Sequence, residues 1–286
     1  MSVHGIGLRS EPPRRGPRRL AVVDLTRLGP RLLRVTLGGD LADFPEGADG
    51  SHLKLFFRRP GQAALALPEF VAGRGVVWPA AADRPIARTY TVAAFDPVAQ
   101  RLSIDFALHG DEGPATRWAS DARLGDELGV GGPGGPNPML GPAARYLLVG
   151  DLTALPAITA LAALMPPDTV GDIMIEASAA DDELSFTRPE RVCVRWLSRA
   201  PHTPSALPRC VRDLRLPAEG TFAFLAGENA PVVAIRDYLL HECGFAKRQL
   251  YAVPYWRERQ TEEEYHQERH RIMDELLEQA PAGAAP

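Results

Sequence analysis

The sequence predicts two domains, an antiparallel β-barrel followed by an α/β domain with a parallel, doubly wound sheet. Before about residue 140, short β-branched or alternating segments are separated by clusters of Gly, Pro and Asp, which is typical of a closed barrel. After that point, continuous apolar strands alternate with helical segments, which is typical of a parallel sheet covered on both faces. A chain of 286 residues is long enough for two domains of ordinary size.

The bulk composition is that of a globular protein with a substantial core, and it excludes several classes of function. The chain is 45% hydrophobic and 24% charged, and its net charge of −4 gives no reason to expect binding to nucleic acid or anionic membranes. Its three cysteines form no CxxC pair, so neither a disulfide framework nor a zinc or iron–sulfur site is expected. No window reaches the ~20 apolar residues of a membrane span, and no signal peptide is evident. We therefore expect a cytoplasmic protein.

The first domain is expected to span residues 19–140, after a basic, disordered lead-in at residues 1–18. The lead-in contains two arginine pairs among prolines and lacks the apolar segment of a signal peptide. Six strands are predicted in the domain, from RLAVVDLTRL to DELGV, with one short helix at GPATRWASDA. The Gly/Pro-rich segment from Gly129 to Pro142 is expected to form neither a helix nor a strand, and it marks the end of the domain.

The second domain is expected to span residues 141–257 and to contain five buried strands. The strands are YLLVG, VGDIMIEA, RVCVRWL, TFAFLAG and QLYAVPYW, and helices are predicted at TALPAITALAALM and from about Pro231 to Cys243. A charged amphipathic helix and a tail follow at residues 258–286. His266 and His270 lie four residues apart on this helix, but without a third ligand nearby we expect a solvated surface and no metal site.

The strand segment RTYTV contains three side chains that suit a flavin dinucleotide. Arg88 has a fork of donors that matches two diphosphate oxygens, Tyr90 offers a ring for stacking, and Thr91 offers a hydroxyl and a backbone N–H. Because side chains alternate along a strand, Arg88 and Tyr90 are expected on one face and Thr91 on the other. The same residues also fit an ordinary strand with an exposed arginine and a core tyrosine, so this segment alone does not decide the matter.

A second segment, DFALHGDEGPATRWA, has the pattern of a phosphate-binding turn. A strand ends near His109, and a helix is predicted to begin at Gly113, Pro114, Ala115 and Thr116. Proline suits the first position of a helix, the N–H groups there bind anions, and glycine lets the backbone approach a phosphate. Together with the RTYTV strand, this segment predicts the two halves of a pyrophosphate site for FAD.

Five segments resemble the siderophore-interacting protein family, FAD-dependent ferric-siderophore reductases with a ferredoxin-reductase-like fold. They are RTYTV, DFALHGDEGPATRWA, GDLTALPAI, AGE and YWRERQTEEEYH, and the similarity extends from about Leu20 to about Leu277. The HG-x-x-GPA-x-x-W and YWR segments are the specific ones, since R-x-Y-T is shared by ferredoxin-reductase-like flavoproteins. The resemblance implies that FAD is held by the following residues: Arg88, Tyr90, Thr91, Val92, His109, Gly113, Pro114, Ala115 and Thr116.

The resemblance also implies a nicotinamide site and a site for the iron chelate. Asp151 and Thr153 fall where the family's strand–loop–helix turn faces the nicotinamide, although Thr153 also fits a simple N-cap. Lys54 and Arg257 match two basic positions that hold an anionic ferric siderophore beside the flavin. The implied reaction passes a hydride from NAD(P)H to FAD and single electrons from FAD to Fe(III), after which Fe(II) leaves the siderophore. The flavin carries this chemistry, so no catalytic acid, base or nucleophile is expected.

The preferred electron donor is not determined by the sequence. Asp181, Asp182 and Glu183 follow a strand and would favour the free ribose hydroxyl of NADH, whereas Arg199 lies where a guanidinium would meet the 2′-phosphate of NADPH. The arginine gives NADPH a slight advantage, because the acids also fit a solvated turn. A ferredoxin-type protein is an alternative donor, and the identity of the siderophore and the oligomeric state stay open.

Two departures from the family pattern each remove a cation near the expected site. Ala93 stands where an arginine usually follows R-x-Y-T-V, and Gly134 stands where the usual GPRG segment has its arginine. These departures leave two alternatives to siderophore reduction. One is a flavin reductase for a protein or an organic acceptor, and the other is a non-catalytic intracellular siderophore-binding protein.

Overall fold

The computed structural model describes residues 16–71, 73–108, 113–136, 138–179 and 182–257. Several sequence predictions lie wholly or mostly outside these residues. They are the basic lead-in at residues 1–18, the helix and tail at residues 258–286 with His266 and His270, the acid at Asp181, and the flavin contact at His109.

The N-terminal part of the chain forms a seven-stranded antiparallel sheet and a separate two-stranded hairpin. The sheet order is β6-β3-β9-β1-β2-β8-β7, and β4 pairs with β5 in the hairpin. Apolar residues alternate along the strands, as at Val35 and Leu37 or Leu53 and Leu55, and they enclose the first core. The strands are β1 (Arg18–Gly29), β2 (Leu32–Gly38), β3 (His52–Phe57), β4 (Glu69–Val71), β5 (Gly75–Val77), β6 (Ile86–Thr91), β7 (Ala94–Asp96), β8 (Arg101–Ala107) and β9 (Glu127–Gly134).

This sheet is barrel-like, as predicted, but its strand pairing stays open between β6 and β8. The two edge strands, β6 and β7, are consecutive in the chain and are joined by the two residues Val92 and Ala93. The backbone N–H of Ala93 donates to the Ser103 carbonyl oxygen at 2.9 Å, so the turn between β6 and β7 reaches β8. Across the open seam the Tyr90 and Phe106 rings lie 4.5 Å apart, centroid to centroid. One edge of β6 therefore pairs with no other strand of this sheet.

Strand β9 corrects one prediction, because it continues through glycines that the sequence assigned to an irregular segment. It pairs with β3 as far as Gly134. A Cβ on Gly129 would lie 2.3 Å from Leu67 and 2.9 Å from Phe56, so only glycine lets β9 cross β3 this closely. The composition resembled a linker, whereas the glycines serve close packing of two strands.

The second part of the chain forms a five-stranded parallel sheet with the order β12-β11-β10-β13-β14. This arrangement confirms the predicted doubly wound α/β fold, with the change of winding direction between β10 and β13. The elements are β10 (Arg145–Asp151), α2 (Leu155–Ala163), β11 (Val170–Ala177), β12 (Val192–Ser198), α3 (Leu207–Asp213), β13 (Thr221–Glu228), α4 (Asn229–His241) and β14 (Leu250–Trp256). The helix before them, α1 (Pro114–Asp121), belongs to the barrel.

Helices cover both faces of the parallel sheet. Helix α2 packs on the face that contains Leu148, Ile173 and Phe224. Helices α3 and α4 pack on the opposite face, where Leu147 and Leu225 are fully buried. The sequence analysis did not predict α3 or the β4–β5 hairpin, because each is too short to show a clear hydrophobic period.

The barrel and the parallel sheet are in direct contact. Leu32 of β2 is buried in the core of the second domain. Next to it, Arg31 donates two hydrogen bonds to the buried carboxylate of Asp182, one of them at 2.9 Å. A paired charge and an apolar anchor at one place fix the two sheets relative to each other, with a cavity between them.

Candidate functional site

A cavity of about 740 Å³ lies between the barrel and the carboxyl ends of the parallel strands. This is the edge of an open α/β sheet at which ligands usually bind, and the volume is within the usual range for cofactor sites. Most of the residues predicted from the sequence line it. They are Lys54, Arg88, Tyr90, Thr91, Gly113, Pro114, Ala115, Thr116, Asp151, Thr153, Arg199 and Arg257.

On the barrel side, the edge of β6 that pairs with no other strand of the sheet forms one wall of the cavity. Arg88, Tyr90 and Thr91 all line the cavity, so the predicted alternation of faces does not separate them. The reason is that β6 is an edge strand, and residues on both of its faces reach the space beside that edge. The Arg88 guanidinium donates to its neighbouring Ala87 carbonyl oxygen at 2.8 Å. This contact turns the side chain along the strand.

Val92, which the resemblance also places at the flavin, does not line the cavity. Its side chain is fully buried in the barrel core and is not part of the cavity lining. Its backbone N–H donates to the Ser51 carbonyl oxygen and its own carbonyl accepts from the Gly50 N–H, both at 2.8 Å. These two bonds fix the turn after β6 and direct the side chain inward.

The N-terminus of α1 forms the next part of the wall. Gly113 is the N-cap in an extended conformation without a side-chain cap, and Pro114 occupies the first turn, as predicted. Ala115 and Thr116 are buried beneath this end. N–H groups at the start of a helix attract anions, so this end suits a diphosphate.

The outer part of the barrel wall carries basic side chains from β3. Lys54 donates from Nζ to the Thr89 hydroxyl at 2.7 Å, directly across the β3–β6 pair. His52 lies opposite Thr91 and also lines the cavity, although the sequence analysis did not select it. The signal was available, since residues two apart on a strand share a face. Gly134 lies against this imidazole, and a Cβ there would come within 2.8 Å of Nε2.

On the sheet side, Asp151 is the centre of a hydrogen-bond network. Its Oδ1 accepts from the Thr153 N–H at 2.8 Å and from the Thr153 hydroxyl at 2.5 Å. Its Oδ2 accepts from the Glu228 N–H at 2.8 Å and from the Trp256 indole N–H at 2.9 Å. One carboxylate thus ties together the ends of β10, β13 and β14. Asp151 lines the cavity, as expected for a residue near the nicotinamide, but both of its oxygens already accept hydrogen bonds from the protein.

Arg199 is similarly engaged. It forms an ion pair with Glu228 and a second one, at 3.4 Å, with Glu176. Its Nε donates to the Thr203 carbonyl oxygen at 2.8 Å. Its guanidinium is therefore already paired within the protein, which removes the argument from Arg199 for binding the 2′-phosphate of NADPH.

The argument for NADH from the neighbouring acids also loses its support. Asp182 is buried against Arg31 and Glu183 is exposed, while Asp181 lies outside the described residues. Two acids that line the cavity, Asp105 and Glu176, were not selected from the sequence. Each lies inside a strand of mostly apolar residues, where a single acid gives no sign of a binding site.

Aromatic residues from β14 complete the cavity. Tyr251 stacks on Phe224 with ring centroids 5.5 Å apart, and Tyr255 and Trp256 follow it along the strand. Burial raises the pKa of Tyr251 to about 12. Burial also raises the pKa of Tyr255, aided by the charge of nearby groups and opposed by a hydrogen bond with Thr91. Both phenols stay neutral in the physiological range, and Tyr255 connects the sheet to the flavin-type strand.

The residues on the barrel side fit FAD. The cavity offers a guanidinium and a helix N-terminus for a diphosphate, and the edge of β6 for a flat ring system. Aromatic side chains from both walls provide apolar surface for such a ring. In the described residues no group of three or more His, Cys, Asp or Glu side chains forms a metal site. The helices among them are all too short or too polar to span a membrane.

Comparison with known proteins gives two family matches that together cover most of the chain. Residues 21–137 match the siderophore-interacting FAD-binding domain, and residues 143–259 match the siderophore-interacting protein model. The first match identifies FAD as the cofactor of the barrel. The two matched ranges meet near the Gly/Pro-rich segment that follows β9.

Individual proteins are similar over nearly the whole chain. The ferric vibriobactin reductase ViuB of Vibrio cholerae serotype O1 is 40% identical over 263 residues, 91% of this chain and 96% of that protein. The NADPH-dependent ferric-chelate reductase of Escherichia coli K12 is 31% identical over 221 residues, 75% of this chain and 83% of that protein. The crystal structure of the siderophore-interacting protein SipS from Aeromonas hydrophila is 39% identical with a TM-score of 0.82, covering 92% of this chain and 100% of that one.

Proposed function

The chain belongs to the siderophore-interacting protein family, and from this premise we propose that it reduces ferric siderophores with electrons from NAD(P)H. The relatives whose names specify a ferric vibriobactin reductase and a ferric-chelate reductase support this reaction class. Each NAD(P)H supplies two electrons, and each Fe(III) takes one. One NAD(P)H therefore yields NAD(P)⁺, a proton and two Fe(II), which bind hard oxygen donors more weakly and leave the chelate.

The observation that carries the proposal is that one cavity joins a flavin-type wall to the ligand edge of a parallel sheet. When bound, FAD supplies the redox chemistry, because it accepts two electrons as a hydride and donates them singly. The protein's own residues position the reactants. Arg88 and the start of α1 would hold the diphosphate of FAD, and Thr91 and Tyr255 would lie near its ring system.

Lys54 and Arg257 would hold the anionic chelate. Arg257 is exposed and Lys54 is half-buried, and both line the cavity. Cations at the rim of such a cleft attract anionic ligands and raise the rate at which they bind. Lys54 is also fixed by its bond to Thr89, so its charge is held in a defined place.

The proposal is tested by NAD(P)H oxidation under nitrogen with a panel of ferric chelates that differ in net charge. Fe(II) is trapped with ferrozine as it forms. We expect NAD(P)H-dependent Fe(II) formation, faster for anionic chelates than for neutral ones. Absence of Fe(II) with every chelate, in a preparation that contains FAD, would contradict the proposal.

A second candidate is a flavin reductase for a protein or an organic acceptor. The loss of the usual cations at Ala93 and Gly134 favours it, because fewer positive charges near the site attract an anionic chelate less strongly. In the same experiment this candidate predicts rapid NAD(P)H oxidation with organic acceptors and little Fe(II) from chelates. If a ferredoxin-type protein is the electron donor instead, both NADH and NADPH should be oxidised slowly with every acceptor.

A further inference from the structure

Acids outnumber bases at the carboxyl edge of the parallel sheet. Each of the five strands places one charged residue there, at its last position or next to it. Three of these residues are acids and two are basic, so the edge has a net negative charge. They are Asp151 on β10, Glu176 on β11, Glu228 on β13, Arg199 after β12 and Arg257 after β14, and all of them except Glu228 line the cavity.

One of the two cations, Arg199, is held by two of the acids. The Arg199 side chain is 20% exposed, whereas those of Glu176 and Glu228 are 2% and 8% exposed. Burial lowers the pKa of Arg199, but the hydrogen bond and the negative charge of Glu228 outweigh it, so the pKa stays above its ordinary value. Turning this guanidinium toward another anion would leave buried carboxylates unpaired, which is strongly unfavourable.

Glu176 has a further role that fixes it in place. Its Oε1 accepts from the Ser205 hydroxyl at 3.1 Å and from the Ala206 N–H at 2.8 Å, directly before α3. It is the next-to-last residue of the second strand of the sheet in chain order, near the place where dinucleotide-binding proteins carry the acid that faces the ribose. A nearby arginine usually receives the 2′-phosphate of NADP(H). Here the acid and the arginine neutralise each other.

We propose that this acidic edge selects NADH over NADPH by excluding the 2′-phosphate. A phosphate monoester brings about two negative charges next to Glu176 and Glu228, whose own charges already hold the guanidinium of Arg199. The ribose hydroxyl of NADH carries no charge and is compatible with the same surface. This inference rests on the proposed use of a nicotinamide, and it is opposite to the donor in the name of the Escherichia coli relative.

The direct test compares NAD⁺ and NADP⁺ binding to the oxidised, FAD-containing protein by isothermal titration calorimetry. The titrations of the two nucleotides are made in the same buffer at about pH 8. We expect NAD⁺ to bind at least about tenfold more tightly. Equal binding, or tighter binding of NADP⁺, would overturn the proposal. Anaerobic reduction of the flavin by NADH and NADPH should show the same ratio of kcat/KM.

A charge-neutral substitution tests the cause. Glu228→Gln removes one of the two negative charges that pair with Arg199, but it keeps an oxygen that accepts the hydrogen bond from Arg199. The affinity for NADP⁺ should therefore rise several-fold, and the affinities for NAD⁺ and NADP⁺ should become more similar. The matched control is Asp172→Asn, which removes one charge from an ion pair with Arg145 near the amino end of the same sheet. It should leave the ratio unchanged. An unaltered ratio in Glu228→Gln would show that the network does not set the preference.

The wild-type titration decides the preference even if the variant does not fold. Protein reduced by dithionite and mixed with a ferric chelate tests iron reduction without any nucleotide. Failure of the donor preference and failure of the proposed function are therefore separate results.

Discussion

The two walls of the cavity differ in how their polar groups are used. On the barrel wall, the edge of β6 and the start of α1 present a guanidinium and helix N–H groups toward the cavity. On the sheet wall, Asp151 accepts four hydrogen bonds from the protein, and Glu176 and Glu228 are paired with Arg199. The barrel wall is thus arranged to bind an anionic cofactor, whereas most polar groups of the sheet wall are paired with one another and stabilise the fold. A substitution at Arg88 on the first wall should mainly affect cofactor binding, and one at Asp151 on the second should mainly affect stability.

The largest expected effect is on stability, at the centre of the sheet wall. Asp151→Ala leaves two backbone N–H groups, the Thr153 hydroxyl and the Trp256 indole without their acceptor. We expect the free energy of unfolding in urea to fall on the order of 4 kcal/mol. Asp172→Asn, whose ion pair is partly exposed, should cost less than about 1 kcal/mol. Similar urea midpoints for these two variants would disprove the role of Asp151 as a structural centre.

The second effect is on cofactor binding, at the barrel wall. Arg88→Ala should weaken FAD binding about 30-fold, because a charge-assisted contact to a diphosphate is lost. The change in unfolding free energy of the flavin-free protein should stay below about 1 kcal/mol. Fluorescence quenching of added FAD measures the affinity, with Arg101→Ala on the exposed end of β8 as the control. If Arg88→Ala retains wild-type affinity, the barrel wall does not hold FAD through this guanidinium.

A smaller effect is expected at the rim. Lys54→Met should lower kcat/KM for reduction of anionic ferric chelates about tenfold and leave neutral chelates nearly unaffected. The chain contains one other lysine, Lys247, which does not line the cavity and provides the matched control. Ferrozine assays at two salt concentrations measure the effect. A uniform loss across all chelates would mean that Lys54 supports the fold or the flavin and does not recognise charge.

The smallest effect concerns alkaline pH and the sheet wall. Because burial raises the pKa of Tyr251 to about 12, the unfolded chain loses this proton at a lower pH than the folded protein does. Its contribution to stability is therefore complete below about pH 10 and is lost progressively as the pH rises to about 12, on the order of 2 kcal/mol. Tyr251→Phe should flatten this decline in urea titrations of the flavin-free protein. A decline of equal slope in the variant would assign the pH dependence to other groups.

The sequence was most informative where an element has a strong period or a chemical motif. The apolar strands from Arg145–Asp151 to Leu250–Trp256 and the order of the two domains followed from patterning. Most residues chosen through the resemblance line one cavity, although their contacts with FAD stay predictions.

The sequence was least informative where long-range contacts decide. Gly129 looked like a linker residue until its contact with Phe56 and Leu67 was known. Arg199 looked like a phosphate ligand because nothing local shows that Glu176 and Glu228, 23 and 29 residues away, reach it. Val92 looked like part of the flavin strand, yet its bonds to Ser51 and Gly50 turn it into the core.

The central claim is that electrons pass through this one cavity from a nicotinamide to iron, and a single-turnover measurement tests it most directly. Protein containing FAD is reduced under nitrogen with one equivalent of NADH and mixed with an excess of an anionic ferric siderophore, while flavin absorbance and ferrozine-trapped Fe(II) are followed together. The account predicts that the flavin is reoxidised as Fe(II) appears, with about two Fe(II) formed per FAD. A flavin that stays reduced while no Fe(II) forms would contradict it.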